Sequence, residues 1–132
     1  MARETIAKTD YYMFEVDPDI NRLYITMWGF WENATVAPNY LTDVDPALNK
    51  LSSGFTNLVD VTQLKTPPKD VRNHFENIQK KFVSRGMSKN AEVISSAFVE
   101  VNLDEVASYS GMFKVLRQFK SMTEAVAWLD EK

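Results

Sequence analysis

Alternating apolar and polar residues begin the patterned part of the chain. Positions 12–16 alternate in this way, and positions 23–28 repeat the pattern after the turn formers of 17–21. A period of two residues is typical of a strand with one buried face, and turn formers between two such segments predict a β-hairpin. The sequence therefore predicts a hairpin that ends at Gly29.

Two helices are predicted after the hairpin. The first covers 34–51 and should break or kink at Pro46, because an interior proline removes a backbone hydrogen bond. The second has Thr66 as its predicted N-cap and Pro67 at its first helical position, where a missing N–H costs nothing. Gly86 stands where this helix should end.

Two further helices are predicted in the C-terminal third. One occupies part of 98–110, and the last opens at the capping box Ser121-x-x-Glu124. The buried side of the last helix should carry Ala125, Trp128 and Leu129.

The apolar run 56–62 and the segments 91–96 and 114–119 predict three more strands, the last at a sheet edge because it carries charges. The predicted order is β-β-α-β-α-β-α-β-α, an α/β fold with a mixed, mainly parallel sheet and helices packed against it. We expect residues 1–10 to form a flexible N-terminal tail and residues 11–132 to form a single domain.

This order resembles the STAS-like (SpoIIAA-like, anti-sigma-factor antagonist-like) family. The closing pattern, Ser110-Gly111 followed by strand 114–119 and Ser121-Met122-Thr123-Glu124-Ala125, is similar to that of the family. The family's strand, aspartate and phosphorylatable serine fall by position on residues 58–62. The segments Trp28-Gly29-Phe30-Trp31 and 125–129 resemble the stand-alone bacterial branch. The resemblance implies a non-enzymatic regulatory domain that binds other proteins, or, for the stand-alone branch, apolar ligands or membranes.

Composition excludes several classes of protein. The chain of 132 residues has no cysteine, which excludes disulfides and thiol chemistry, and its net charge of -3 does not favour nucleic-acid binding. Its densest basic group, Lys80, Lys81 and Arg85, falls in the last turns of a predicted helix, where cations offset the helix dipole. The polar N-terminus lacks the apolar core of a signal peptide, and we expect a cytoplasmic protein.

The first candidate site is the end of the apolar run 56–62. Asp60 and Thr62 stand there, and Thr66 precedes the next predicted helix. Open α/β sheets usually place their sites at the carboxyl ends of strands, so these residues are a candidate interaction surface. Thr62 is also a candidate phosphoacceptor, since phosphate is favoured beside a helix N-terminus. The alternative, which we favour, is that the short side chains of Asp60 and Thr62 bond to nearby backbone.

The second candidate site is aromatic. It comprises Trp28, Phe30, Trp31, Tyr40 and Phe55, which could contact an apolar ligand or a membrane surface. Such residues more often fill a core, which we favour for the set as a whole. Two tryptophans flanking Gly-Phe are hard to bury completely, so we expect at least one to be partly exposed.

No catalytic or metal-binding arrangement appears in the sequence. His74 has no second ligand at metal-binding spacing, and no phosphate loop or nucleophile elbow is present. We therefore expect a non-enzymatic module without cofactor or metal. Its expected partner is a protein, with regulation by phosphorylation as one form and a homodimer as one assembly. The alternative is a carrier or sensor of an apolar small molecule or of a membrane surface.

Overall fold

A computed structural model of the protein describes residues 3–95 and 115–131. Six strands form one sheet in the order β1-β2-β3-β4-β5-β6. They are β1 (Glu4–Lys8), β2 (Tyr12–Asp17), β3 (Arg22–Gly29), β4 (Thr56–Leu64), β5 (Lys89–Val93) and β6 (Leu116–Phe119). The pairs β1·β2 and β2·β3 are antiparallel, and the pairs from β3 to β6 are parallel. The predicted α/β fold with a mixed sheet is confirmed, and β6 is an edge strand as predicted.

Four α-helices accompany the sheet in the described ranges. They are α1 (Tyr40–Asp43), α2 (Asp45–Leu48), α3 (Lys69–Ser84) and α4 (Met122–Asp130), with 3₁₀ turns at Pro18–Ile20 and Ala34–Val36. The single helix predicted over 34–51 is thus divided into three short pieces. Pro46 lies in the first turn of α2, where its missing N–H needs no partner, so the predicted break occurs just before it. The helix predicted within 98–110 lies outside the described residues.

The N-terminal segment differs from the expected flexible tail. Residues Glu4–Lys8 form β1, which pairs with β2 and adds a sixth strand to the five that the sequence predicts. Ile6 and Ala7 pack against the core from this strand. The segment is short and charged, and its two adjacent apolar residues, Ile6 and Ala7, do not show the alternation that predicts a strand.

The C-terminal end of α3 is as predicted from the sequence, whereas its N-terminal end is not. Gly86 follows the helix with φ of +86°, and the Met87 amide donates to the Phe82 carbonyl at 3.2 Å, which is a Schellman ending as the glycine predicts. At the other end the prediction of Thr66 as N-cap is wrong. Pro68 occupies that position, without a side-chain hydrogen bond, and Thr66 lies in the preceding loop.

The α4 helix begins as predicted. Ser121 is its N-cap and accepts a hydrogen bond from the Glu124 amide at 3.4 Å, the first half of a capping box. Ala125 and Leu129 are buried against the sheet, and Trp128 is half-buried with its ring 5.7 Å from that of Phe119.

The sheet separates two apolar cores. The larger core lies between β1–β4 and the α1–α3 side and includes Phe14, Trp31, Val59 and Phe75. The smaller one joins Leu58, Ala91 and Val93 to α4. Because successive residues of a strand point to opposite faces, β4 contributes to both cores through Leu58 and Val59.

The basic residues near the end of α3 hold the segment of α1 and α2. The ammonium group of Lys81 donates to the Leu41 carbonyl at 2.5 Å and to an Asp45 carboxylate oxygen at 2.9 Å. The Arg85 guanidinium donates to the Leu48 carbonyl at 3.1 Å. Their positive charges thus have structural partners, in line with the structural interpretation of this basic group.

Candidate functional site

Strand β4 continues past the residues at which the sequence predicts its end. It extends to Leu64, so Asp60 and Thr62 lie within the strand rather than after it. Thr26 of β3 pairs with Asp60, and Trp28 pairs with Gln63, so β4 contains one more residue than β3 over this stretch. This is a β-bulge, a distortion that redirects side chains and that often lies next to functional sites.

Asp60 and Thr62 bond to each other across the bulge. One Asp60 carboxylate oxygen accepts from the Thr62 amide at 3.0 Å and from the Thr62 hydroxyl at 2.7 Å. The Ser95 hydroxyl donates to the Thr62 carbonyl at 2.8 Å, which ties the bulge to the residues after β5. The Asp60 carboxylate thus accepts the hydrogen bond that the Thr62 amide would give to a neighbouring strand in a regular sheet. Both Asp60 and Thr62 are half-buried.

A shallow cleft adjoins Asp60 on the face of the sheet opposite α3. Its lining includes Arg3, Tyr24, Thr26, Asp60 and Met122. The Arg3 guanidinium lies 3.9 Å from the centre of the Tyr24 ring, a cation–π contact. The cleft thus presents a carboxylate and a guanidinium at one surface, an arrangement suited to polar recognition.

The five aromatic residues of the second candidate site do not form one site. Trp31 and Tyr40 are fully buried, with ring centres 5.2 Å apart in an edge-to-face contact. Phe55 is buried too and packs edge-on against Phe82. Phe55 precedes β4, whereas Trp31 follows β3, so the parallel pairing of β3 and β4 places them at opposite ends of the sheet.

Trp28 and Phe30 remain at the surface. Trp28 is half-buried, and Phe30 is 48% exposed, among the most exposed of the large apolar side chains in the described residues. Gly29 between them is the last residue of β3 and has φ of +77°, a conformation that glycine adopts readily. The Lys65 amide donates to the Gly29 carbonyl at 3.0 Å and so fixes this end of β3 to the end of β4.

Trp28 and Phe30 of the second candidate site therefore lie at the same end of the sheet as Asp60 and Thr62. The surface formed by Trp28, Phe30, Asp60 and Thr62 is called the β3–β4 surface below. Thr66 lies half-buried in the loop that follows β4. The sequence separates these residues by up to 34 positions between Trp28 and Thr62, and the parallel register brings them together.

Ionisable groups with strongly shifted acidity lie elsewhere. Burial raises the pKa of the Tyr12 phenol well above its usual value, and a hydrogen bond to Asp43 at 2.5 Å adds to the effect. Burial likewise raises the pKa of the Tyr40 phenol. Both tyrosines belong to the larger core, so their shifts indicate structural roles rather than catalysis.

Neither a candidate metal-binding cluster nor a candidate membrane-spanning helix is present within residues 3–95 and 115–131. Acidic residues and His74 there form no group of three or more that could hold a metal ion. His74 is half-buried, with a ring nitrogen 3.2 Å from the Ala37 carbonyl. No helix in these ranges has the length and hydropathy that a membrane crossing requires.

Solved structures share this architecture. An uncharacterized protein of the DUF3478 family from Shewanella loihica PV-4, described as having a SpoIIAA-like fold, is 13% identical, with a TM-score of 0.59 over 97% of this chain and 92% of that one. The protein TM1081, determined by NMR, is 20% identical, with a TM-score of 0.58 over 100% of both chains. No protein-family model and no curated protein matches the sequence. The structural likeness shows that the chain has a SpoIIAA-like fold.

Proposed function

We propose that the protein is a non-enzymatic, cytoplasmic regulatory module that binds another protein through the β3–β4 surface. The observation that supports this most directly is the exposed Phe30 beside the half-buried Trp28, on the same end of the sheet as Asp60 and Thr62. An aromatic anchor with polar neighbours is the usual composition of a protein-binding hot spot. The SpoIIAA-like fold is compatible with a regulatory binding domain, and the surface supplies the specific hypothesis.

The bulge gives phosphorylation of Thr62 a physical mechanism. In the unmodified protein the Thr62 hydroxyl donates to Asp60 at 2.7 Å. A phosphate would remove that donor and place about two negative charges beside the carboxylate. Repulsion would then open the side-chain bridge and change the charge of the β3–β4 surface, which is how a binding switch could operate here.

Replacement of Phe30 tests the surface. In a pull-down from cells that naturally produce the protein, Phe30→Ser should weaken binding of the partner about thirtyfold, because a hot-spot aromatic contributes about 2 kcal/mol or more to binding. Val83→Ser is the matched control, since Val83 is 41% exposed but lies on α3. Equal retention by Phe30→Ser and wild type, measured by quantitative mass spectrometry, would contradict the proposed surface.

Replacement of Thr62 tests the switch separately. Thr62→Ala cannot be phosphorylated, whereas Thr62→Glu carries a permanent negative charge beside Asp60, so the two variants should change partner retention in opposite directions. Thr42→Glu adds the same charge at an exposed position of α1 and should leave retention unchanged. If both Thr62 variants retain the partner equally, the surface can still bind but the switch is excluded.

The same exposed aromatic residues favour a second candidate function, the recognition of an apolar molecule or of a membrane surface. Insertion of Trp28 or its neighbours into lipid should shift tryptophan emission to shorter wavelength when vesicles of phosphatidylcholine and phosphatidylglycerol are added. Phe30→Ser should reduce the shift. Folded protein that shows no shift and, in native mass spectrometry, carries no ligand would contradict this alternative while leaving the protein-binding proposal intact.

A further inference from the structure

Polar side chains are buried between the sheet and α3. They are Asn57 on β4, Gln79 on α3, and Asn90 and Glu92 on β5. Asn57 and Asn90 have no exposed surface, and Gln79 and Glu92 are almost as deeply buried. Buried polar groups in native proteins are nearly always hydrogen-bonded, so each of these needs a partner.

Asn57 and Asn90 are exceptions to this rule, because their side chains lack hydrogen-bond partners among the described residues. They are opposite each other in the parallel register of β4 and β5. Within the described part of the chain, the amide nitrogen and oxygen of both side chains make no hydrogen bond. An amide buried in this way loses its hydration without compensation, which is costly enough to require an explanation.

A small cavity adjoins one of the two amides. Asn57, Gln79 and Glu92 line it, together with Tyr40 of α1 and apolar side chains of β3, β4 and α3. Its volume of about 20 Å³ is enough for about one water molecule. Asn90 does not line this cavity, although it is the strand neighbour of Asn57.

We propose that this cavity is a hydration site that holds an ordered water bound to Asn57. Water fits because it both donates and accepts, as the amide oxygen and nitrogen of Asn57 require. A buried water needs two to four polar partners. Glu92 is a second polar residue in the lining, and a carboxylate can accept several hydrogen bonds at once, here including one from Gln118 at 3.2 Å.

The position of the water gives it a structural task. Asn57, Glu92 and Gln79 belong to β4, β5 and α3, so one water among them would connect two strands with the helix that covers them. The cavity shares no lining residue with the β3–β4 surface, so the two sites are separate.

Water-¹⁷O magnetic relaxation dispersion tests this proposal, since it counts internal waters with long residence times. Asn57→Leu, similar in size but without polar atoms, should lose about one such water relative to wild type. Asn90→Leu is the matched control and should keep the wild-type count, because Asn90 does not line the cavity. An unchanged count in Asn57→Leu, or an equal loss in both variants, would overturn the assignment.

A crystal structure of the wild-type protein provides a second test that does not depend on whether the variants fold. We expect electron density for a single atom within hydrogen-bonding distance of the Asn57 amide. A dry cavity, with the amides of Asn57 and Asn90 bonded to each other, would overturn the proposal. So would a small organic molecule retained in the cavity and detected by native mass spectrometry.

Discussion

Tyr12 joins the hairpin to α1 through a single polar atom. Its ring is buried in the larger core, while its hydroxyl donates to the half-buried Asp43 carboxylate at 2.5 Å. A hydrogen bond to a charged group typically contributes about 1.5–3 kcal/mol to stability. The alternation at 12–16 predicts that Tyr12 is buried, but no local pattern indicates which carboxylate meets its hydroxyl.

Removal of this hydroxyl should have an effect that depends on pH. At pH 7 we expect Tyr12→Phe to destabilise the protein by about 1 kcal/mol or more, with the loss limited because water can reach the half-exposed Asp43. Above the unfolded tyrosine pKa of 10.0, the unfolded chain releases protons that the folded protein keeps, so wild-type stability falls as pH rises. Urea denaturation from pH 8 to 11 should show a shallower fall for the variant, and parallel curves would contradict this.

The aromatic segment 28–31 shows how far single residues can be predicted. The sequence indicates that its two tryptophans cannot both be hidden, and Trp28 is indeed partly exposed while Trp31 is fully buried. Between them Gly29 has a positive φ, which interrupts the alternation of the strand. A change of backbone region at one glycine is not encoded in the period of the apolar residues, so the assignment required the structure.

Substitution of Gly86, which follows α3, should destabilise the end of this helix. A Cβ at Gly86 would lie 2.3 Å from the Ser53 hydroxyl oxygen, and its φ of +86° disfavours any L side chain. Gly54 has a similar φ of +91° but has no atom within 4 Å of the added Cβ. Strain at a positive φ costs about 1–3 kcal/mol of stability. Gly54→Ala measures this backbone cost alone, whereas Gly86→Ala adds a steric clash with Ser53.

We therefore expect Gly86→Ala to be the more destabilising of the two substitutions. Thermal and urea unfolding of both variants provide the measurement, with Gly54→Ala as the matched control for backbone strain. Equal losses would mean that Ser53 moves aside and that the close packing of these two loops contributes little.

Elements with a local sequence pattern were predicted well, and those defined by distant partners were not. The Ser121 cap and the Gly86 ending depend on neighbouring residues and are confirmed. In contrast, β1 exists because β2 offers an edge, and β4 passes Asp60 because it continues to pair with β3 beyond the bulge. The sequence pattern around Thr66 suits a cap, yet the chain starts α3 after Pro68.

The whole molecule should open from its edges inward. Strand β4 is central, with Val59 in the larger core and Leu58 in the smaller one, whereas β1 and β6 form the sheet edges. Local opening requires less free energy where fewer buried contacts are broken. In hydrogen exchange under native conditions, amides of β3 and β4 should therefore exchange most slowly, and those of β1 much faster. Protection of β1 equal to that of β4 would contradict this order.

The order of the strands also affects how the protein can be made. Each described strand lies beside the strands that precede and follow it in the sequence, so no described strand has to insert between two that are already paired. A chain leaving the ribosome presents its N-terminal segments first. The hairpin of β2 and β3 can therefore form early, and β4, β5 and β6 can each add to the open edge left by the strand before. Synthesis and assembly of the sheet can thus proceed in the same direction.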